Sequence, residues 1–145
     1  MASFYAALQE LKAVLEAGLQ TFCSQRWSKL PTVTISYKKR AEITLDEFPL
    51  LLITRPHKEN QDGVTGFYQS EQTVLVYAGF CEHDREKAAQ AVIELEEEIE
   101  TIIRGNLSLN NTVLDIELTS TANDEGNFHP VYFIAVELKA KFRTL

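Results

Sequence analysis

Residues 131–142 read VYFIAVELKAKF, and their alternation decides the fold. The even positions, Tyr132, Ile134, Val136, Leu138, Ala140 and Phe142, are all apolar. The odd positions begin apolar with Val131, Phe133 and Ala135 and then turn charged with Glu137, Lys139, Lys141 and Arg143. A strand repeats every two residues, so one face is buried along its whole length and the other only in its first half. From Val131 to Arg143 such a strand spans roughly 44 Å at about 3.4 Å per residue. A domain of this size is only about 30–35 Å across. Part of the strand is therefore expected to project or to pair with another chain, which points to assembly.

The segment before it supplies a hairpin partner. Thr112–Thr119 sets Leu114, Ile116 and Leu118 inward against Val113, Asp115 and Glu117. The turn-rich run Ala122-Asn123-Asp124-Glu125-Gly126-Asn127 then joins the two strands as an antiparallel pair.

Further upstream lies an acidic amphipathic helix, Asp84–Arg104. Ala88, Val92, Leu95, Ile99 and Ile102 step by four and three, with Ala91 and Ile103 beside them. Gly105 is placed to take the left-handed position past its end. Glu94, Glu96, Glu97, Glu98 and Glu100 crowd the outer face. Like charges four apart cost about 0.2–0.5 kcal/mol per pair. A solvated face accounts for them; a basic surface on a neighbouring subunit would relieve them.

The front of the chain reads as helix, strand, hairpin. Ser3 is a plausible N-cap, and Phe4, Leu8, Leu11, Leu15 and Leu19 carry a helical stripe over Phe4–Phe22. Pro31 stops it. Thr32–Tyr37 is a β-branched run, and Lys38-Lys39-Arg40 reads as a solvated turn. Phe48–Thr54 is nearly continuous apolar, an interior strand. Residues 55–66 are polar and turn-rich and predict a mobile loop. Phe67–Phe80 returns, its apolar part being Thr73–Phe80. The expectation is one α+β domain over residues 1–145, in the order α-β-β-β-α-β-β. It has a single, largely antiparallel mixed sheet with its two main helices packed mainly on one face.

Composition narrows the classes. The formal net charge of −7 is a poor footprint for nucleic acid, which needs clustered Lys and Arg. No apolar run is long enough to span a membrane, and the N-terminus lacks the pattern of a secretory leader. Cys23 and Cys81 form no CxxC pair, which fits a reduced intracellular chain. His57, His83 and His129 show no zinc-ligand spacing; Cys81-Glu82-His83 is the nearest approach to a nucleophile–base or two-ligand pair, and further partners are not named by the sequence. No GxGxxG, P-loop or GxSxG occurs. The reading is no catalytic, cofactor-binding or metal residues.

The layout resembles the tail-terminator and tail-completion proteins of long-tailed bacteriophages. The resemblance is carried by TVLVYAGF at Thr73–Phe80, the helix AQAVIELEEEIETIIRG, TVLDIELT at Thr112–Thr119, the turn with Glu125-Gly126, and the final VYFIAVELKAKF. It covers Phe4 to Phe142 and is a pattern of elements, so no site residue carries over. It implies a non-enzymatic subunit forming a homo-oligomeric ring, commonly a hexamer, between tail tube and head connector, in the virion tail and, during assembly, in the host cytoplasm. The expected subunit interface sets Lys139, Lys141 and Arg143 against Glu94, Glu97 or Glu98 of a neighbour, with Val131 and Phe133 as apolar contacts. A small cytosolic enzyme, or an adaptor binding through its sheet edge, would fit the same composition.

Overall fold

The computed structural model describes residues 3–37, 42–62 and 68–144, with the side chains at 61, 62, 68, 143 and 144 left aside. The elements are α1 (Phe4–Trp27), β1 (Thr32–Ile35), a 3-10 turn (Leu45–Glu47), β2 (Leu50–Asp62), β3 (Tyr68–Cys81), α2 (Arg85–Arg104), β4 (Asp115–Asn123) and β5 (Val131–Thr144). The strands form one sheet in the order β1-β2-β3-β5-β4. Only β1 and β2 run parallel; the other neighbours are antiparallel. This is the expected α+β architecture in the expected order.

One face of the sheet carries both helices. All six even positions of β5 are buried there, beside Leu51 and Ile53 of β2 and Val74, Val76, Ala78 and Phe80 of β3. Leu11, Leu15, Leu19 and Cys23 of α1 and Leu95, Ile99 and Ile103 of α2 close over them. Burying apolar side chains of this size is worth about 1.5–3 kcal/mol each against exposure, which fixes the strand register as well as the fold. The helices meet at Gly18, where an added Cβ would stand 2.6 Å from Ile102 Cδ1. Further along the same seam Arg26, near the end of α1, pairs with Glu94 in the middle of α2 and also lies over the Phe22 ring, 4.7 Å from its centroid.

The opposite face is half covered. Phe48, Leu50 and Leu52 form a second cluster with Ile43, Val131 and Phe133. Beyond it the odd positions of β5 become polar, as their letters require.

Several expectations are corrected. The long final strand does not lack a partner in its own chain: β3 matches it from Cys81↔Val131 to Tyr68↔Thr144. The predicted loop 55–66 is strand as far as Asp62. Pairing continues from His57↔Thr73 to Asp62↔Tyr68 after an irregularity between Thr54 and His57. Backbone pairing needs no apolar side chain, and β3 is itself anchored by β5 over the same length, so a polar stretch can add on. Residues 63–66 and Lys38-Lys39-Arg40 lie outside the described residues.

Helix α1 runs on past Phe22 because Cys23 is buried and Trp27 stacks on Phe80, centroids 5.0 Å apart. Ser28, at φ 54°, then ends it. Ser3 sits at the N-cap position but makes no capping hydrogen bond. Asp84 does cap α2, its Oδ1 accepting from Glu86 N at 2.9 Å and Lys87 N at 3.1 Å. Gly105 keeps a right-handed backbone, φ −78°. β1 ends at Ile35, short of Tyr37.

β4 begins later than expected and runs through Ala122 and Asn123, residues assigned to the turn. Leu114 faces solvent while Val113 is buried, the reverse of the expectation. Leu109, Asn110 and Asn111 take positive φ and fold the preceding segment down onto the core, so the strand period starts only at Asp115.

Candidate functional site

The sequence-level interface residues fall into three groups. Glu94 is held inside its own chain, by Arg26 and by Gln90 Nε2 at 3.0 Å. Lys139 is likewise held, its Nζ 3.6 Å from Glu71 Oε1. Each of those two has an internal partner. Glu97 is exposed and Glu98 half-buried. Among the described residues none holds either carboxylate. Lys141 is exposed, Val131 and Phe133 are half-buried on the half-covered face, and the side chain of Arg143 lies outside the description. Glu96 and Glu100 of α2 turn toward β4: Glu100 accepts from Thr121 Oγ1 at 2.7 Å and Glu96 from Asn123 Nδ2 at 3.4 Å. Internal donors thus relieve most of the repulsion on this helix.

The titratable candidates stay apart. Cys81 closes β3 half-buried and His83 is exposed. His57 is exposed on β2, and His129 Nδ1 lies 2.5 Å from Tyr132 Oη in the turn before β5. Among the described residues no three His, Cys, Asp or Glu side chains gather to hold a metal, and no helix is long and apolar enough to cross a membrane.

Two surfaces have built chemistry. The first is a cavity of about 680 Å³ under the start of α1, opening where β1 stops short of the β2 arm. Phe4, Tyr5, Ile35 and Tyr37 supply apolar wall; Arg55 and Lys58 supply charge, and among the described residues no acidic side chain lines it. Arg55 is fixed in place. Its Nη1 donates to Gln72 Oε1 at 2.9 Å, Gln72 is 1% exposed, and Gln72 Nε2 donates to Ser70 Oγ at 3.2 Å. The Arg55 carbonyl accepts from Tyr37 Oη at 3.0 Å. Holding a guanidinium in advance lowers the entropy cost of meeting an anion. Nor does α1 have an acid in its first turn, so its N-terminal partial positive charge adds to the field. Sequence reasoning missed this cavity, because its walls come from five separate elements and linker residues.

The second surface is the outward ridge of α2. Ile93 is 56% exposed, and Glu97 stands one helical turn further on. An exposed isoleucine beside a carboxylate is an apolar-plus-anionic pair, the complement of the cavity.

Both ends of the sheet are also open. Among the described residues no strand lies beyond β4, and none pairs with the outer edge of β2 after Ile53. Open edges offer unpaired N–H and C=O groups to another strand.

No protein-family model matches the chain, and no curated protein matches it.

Proposed function

We propose that this chain is a phage or prophage structural protein that works by assembling with copies of itself into a ring at the junction of tail and head, as a tail terminator or tail-completion subunit. The observation that supports it best is the pair of open sheet edges. β4 lies at one end of the sheet and the β2 arm at the other. Two different edges joined head to tail give a heterologous contact, which closes into a ring when the rotation allows. Large exposed side chains flank the sides concerned: Tyr5 and Tyr37 near the arm, Ile93 and Leu114 near β4. The element order that carries the family resemblance is the second support. In this reading the tail-tube and head-connector proteins are the further partners, the virion tail is the working location, and contact replaces catalysis.

Sedimentation at micromolar concentration tests the reading. A discrete closed species, annular by negative-stain microscopy, is the expected result. A chain that stays monomeric at its highest soluble concentration would overturn it. A monomer whose β4 edge captures an extended peptide would favour an adaptor instead.

A further inference from the structure

We infer that the cavity lined by Arg55, Lys58 and Tyr37 receives the α2 ridge of a second copy, with Ile93 entering the aromatic wall and Glu97 meeting the two cations. The inference rests on the self-assembly reading and specifies its interface. The occupant is argued from charge and shape. The cavity holds two cations and a helix N-terminus and, among the described residues, no acidic lining, so it favours an anion. Its aromatic and aliphatic walls favour an apolar group beside that anion. On this chain Ile93 and Glu97 present that combination from one rigid helix, and among the described residues nothing holds the Glu97 carboxylate.

Topology agrees. Helix α2 lies against β4, tied by Glu96–Asn123 and Glu100–Thr121. The cavity lies on the helix-bearing face beside the open edge of β2. Helix α2 and the cavity thus lie toward opposite edges of one sheet, so two copies joined head to tail set the one toward the other. A helix seated in a groove by side chains one turn apart is a recurrent mode of recognition.

Charge swapping tests this by sedimentation equilibrium. Lys58→Glu and Ile93→Asp, both exposed and both checked for fold by circular dichroism, should each weaken self-association by about tenfold or more. Adding Glu97→Lys to Lys58→Glu should restore association to within about threefold of the natural chain. With Cys81→Ser in both chains, mixing Ile93→Cys with Tyr37→Cys protein under mild oxidant should give a disulfide cross-link between copies, a readout of position and not of affinity alone. Assembly of the natural chain that neither single variant weakens would overturn this interface while leaving the ring reading intact. Weakening by Lys58→Glu without rescue by Glu97→Lys would overturn the assigned pairing. A natural chain that never assembles would overturn both.

Discussion

Lys139 and Glu71 stand on neighbouring strands with Nζ 3.6 Å from Oε1, on the face of the sheet that neither helix covers. They are diagonal partners, since Lys139 registers with Thr73 and Glu71 with Lys141. A cross-strand opposite-charge pair contributes roughly 0.2–1 kcal/mol, and a partly exposed one belongs at the low end. Lys139 also registers with Glu117 of β4, so Lys139→Glu adds repulsion and should lower the urea midpoint of the single chain by an amount equivalent to about 0.5–1 kcal/mol, while Glu71→Lys in the same chain, itself opposite Lys141, should recover only part of it. If Lys139→Glu left the chain's stability unchanged and abolished assembly, the lysine would serve a neighbour and not Glu71.

Gly18 offers a test of packing against propensity. Within an exposed helix Gly→Ala gains about 1 kcal/mol. Here the new Cβ would stand 2.6 Å from Ile102 Cδ1 and 2.8 Å from its Cγ1. Overpacking of this kind costs about 1–3 kcal/mol. Gly18→Ala should thus destabilise, and Gly18→Ala with Ile102→Val should recover part of the loss. Stabilisation by Gly18→Ala alone would show that the helices separate at little cost.

Cys23 gives a prediction in pH. Burial pushes its thiol from 9.0 up to about 12. In the unfolded chain the thiol ionises near 9.0, so between that value and about 12 the unfolded state has lost a proton the folded state keeps. Stability from this group is fully present below pH 9 and falls as pH rises toward 12. Cys23→Ala should be less stable at neutral pH, from lost packing, yet show a shallower alkaline decline. Native protein should also present Cys81, and not Cys23, to a thiol reagent, with Cys23 labelling only on unfolding. Rapid native labelling of Cys23 would contradict its burial.

What was legible in the letters follows from which forces act through side chains. Tyr132 through Phe142 alternate because one face is buried at every second residue, so the strand, its inward set and the half-covered outer face could all be read. The stripe of α2 was legible for the same reason at helical period. The β2 arm was not. His57 to Asn60 carry polar side chains, and what orders them is backbone pairing to a β3 that is already braced by β5. The exchange of Val113 and Leu114 was hidden because Leu109, Asn110 and Asn111 turn the chain before the strand begins. The basic cavity was hidden more deeply: Tyr5, Tyr37, Arg55, Gln72 and Phe142 meet only after the sheet is assembled.

The β2 arm itself yields the last prediction. In an antiparallel edge strand alternate backbone amides point toward the partner and toward open space. Beyond Ile53 β2 has β3 on one side and, among the described residues, no strand on the other. Pro56 has no amide to contribute. Hydrogen exchange of the dissociated chain should therefore show a two-residue rhythm over 57–62, with one set protected by β3 and the other exchanging fast. A uniformly fast segment would mean that the arm does not persist in solution. Assembly separates the remaining possibilities. If β4 of a neighbour adds along this edge, the fast set becomes protected on oligomerisation and the already slow set changes little. If copies join only through side chains, the rhythm survives unchanged in the assembled state. Comparing the natural chain with Ile93→Asp at equal concentration provides the control, because a variant that keeps its fold and loses its neighbours should retain the rhythm of the free arm.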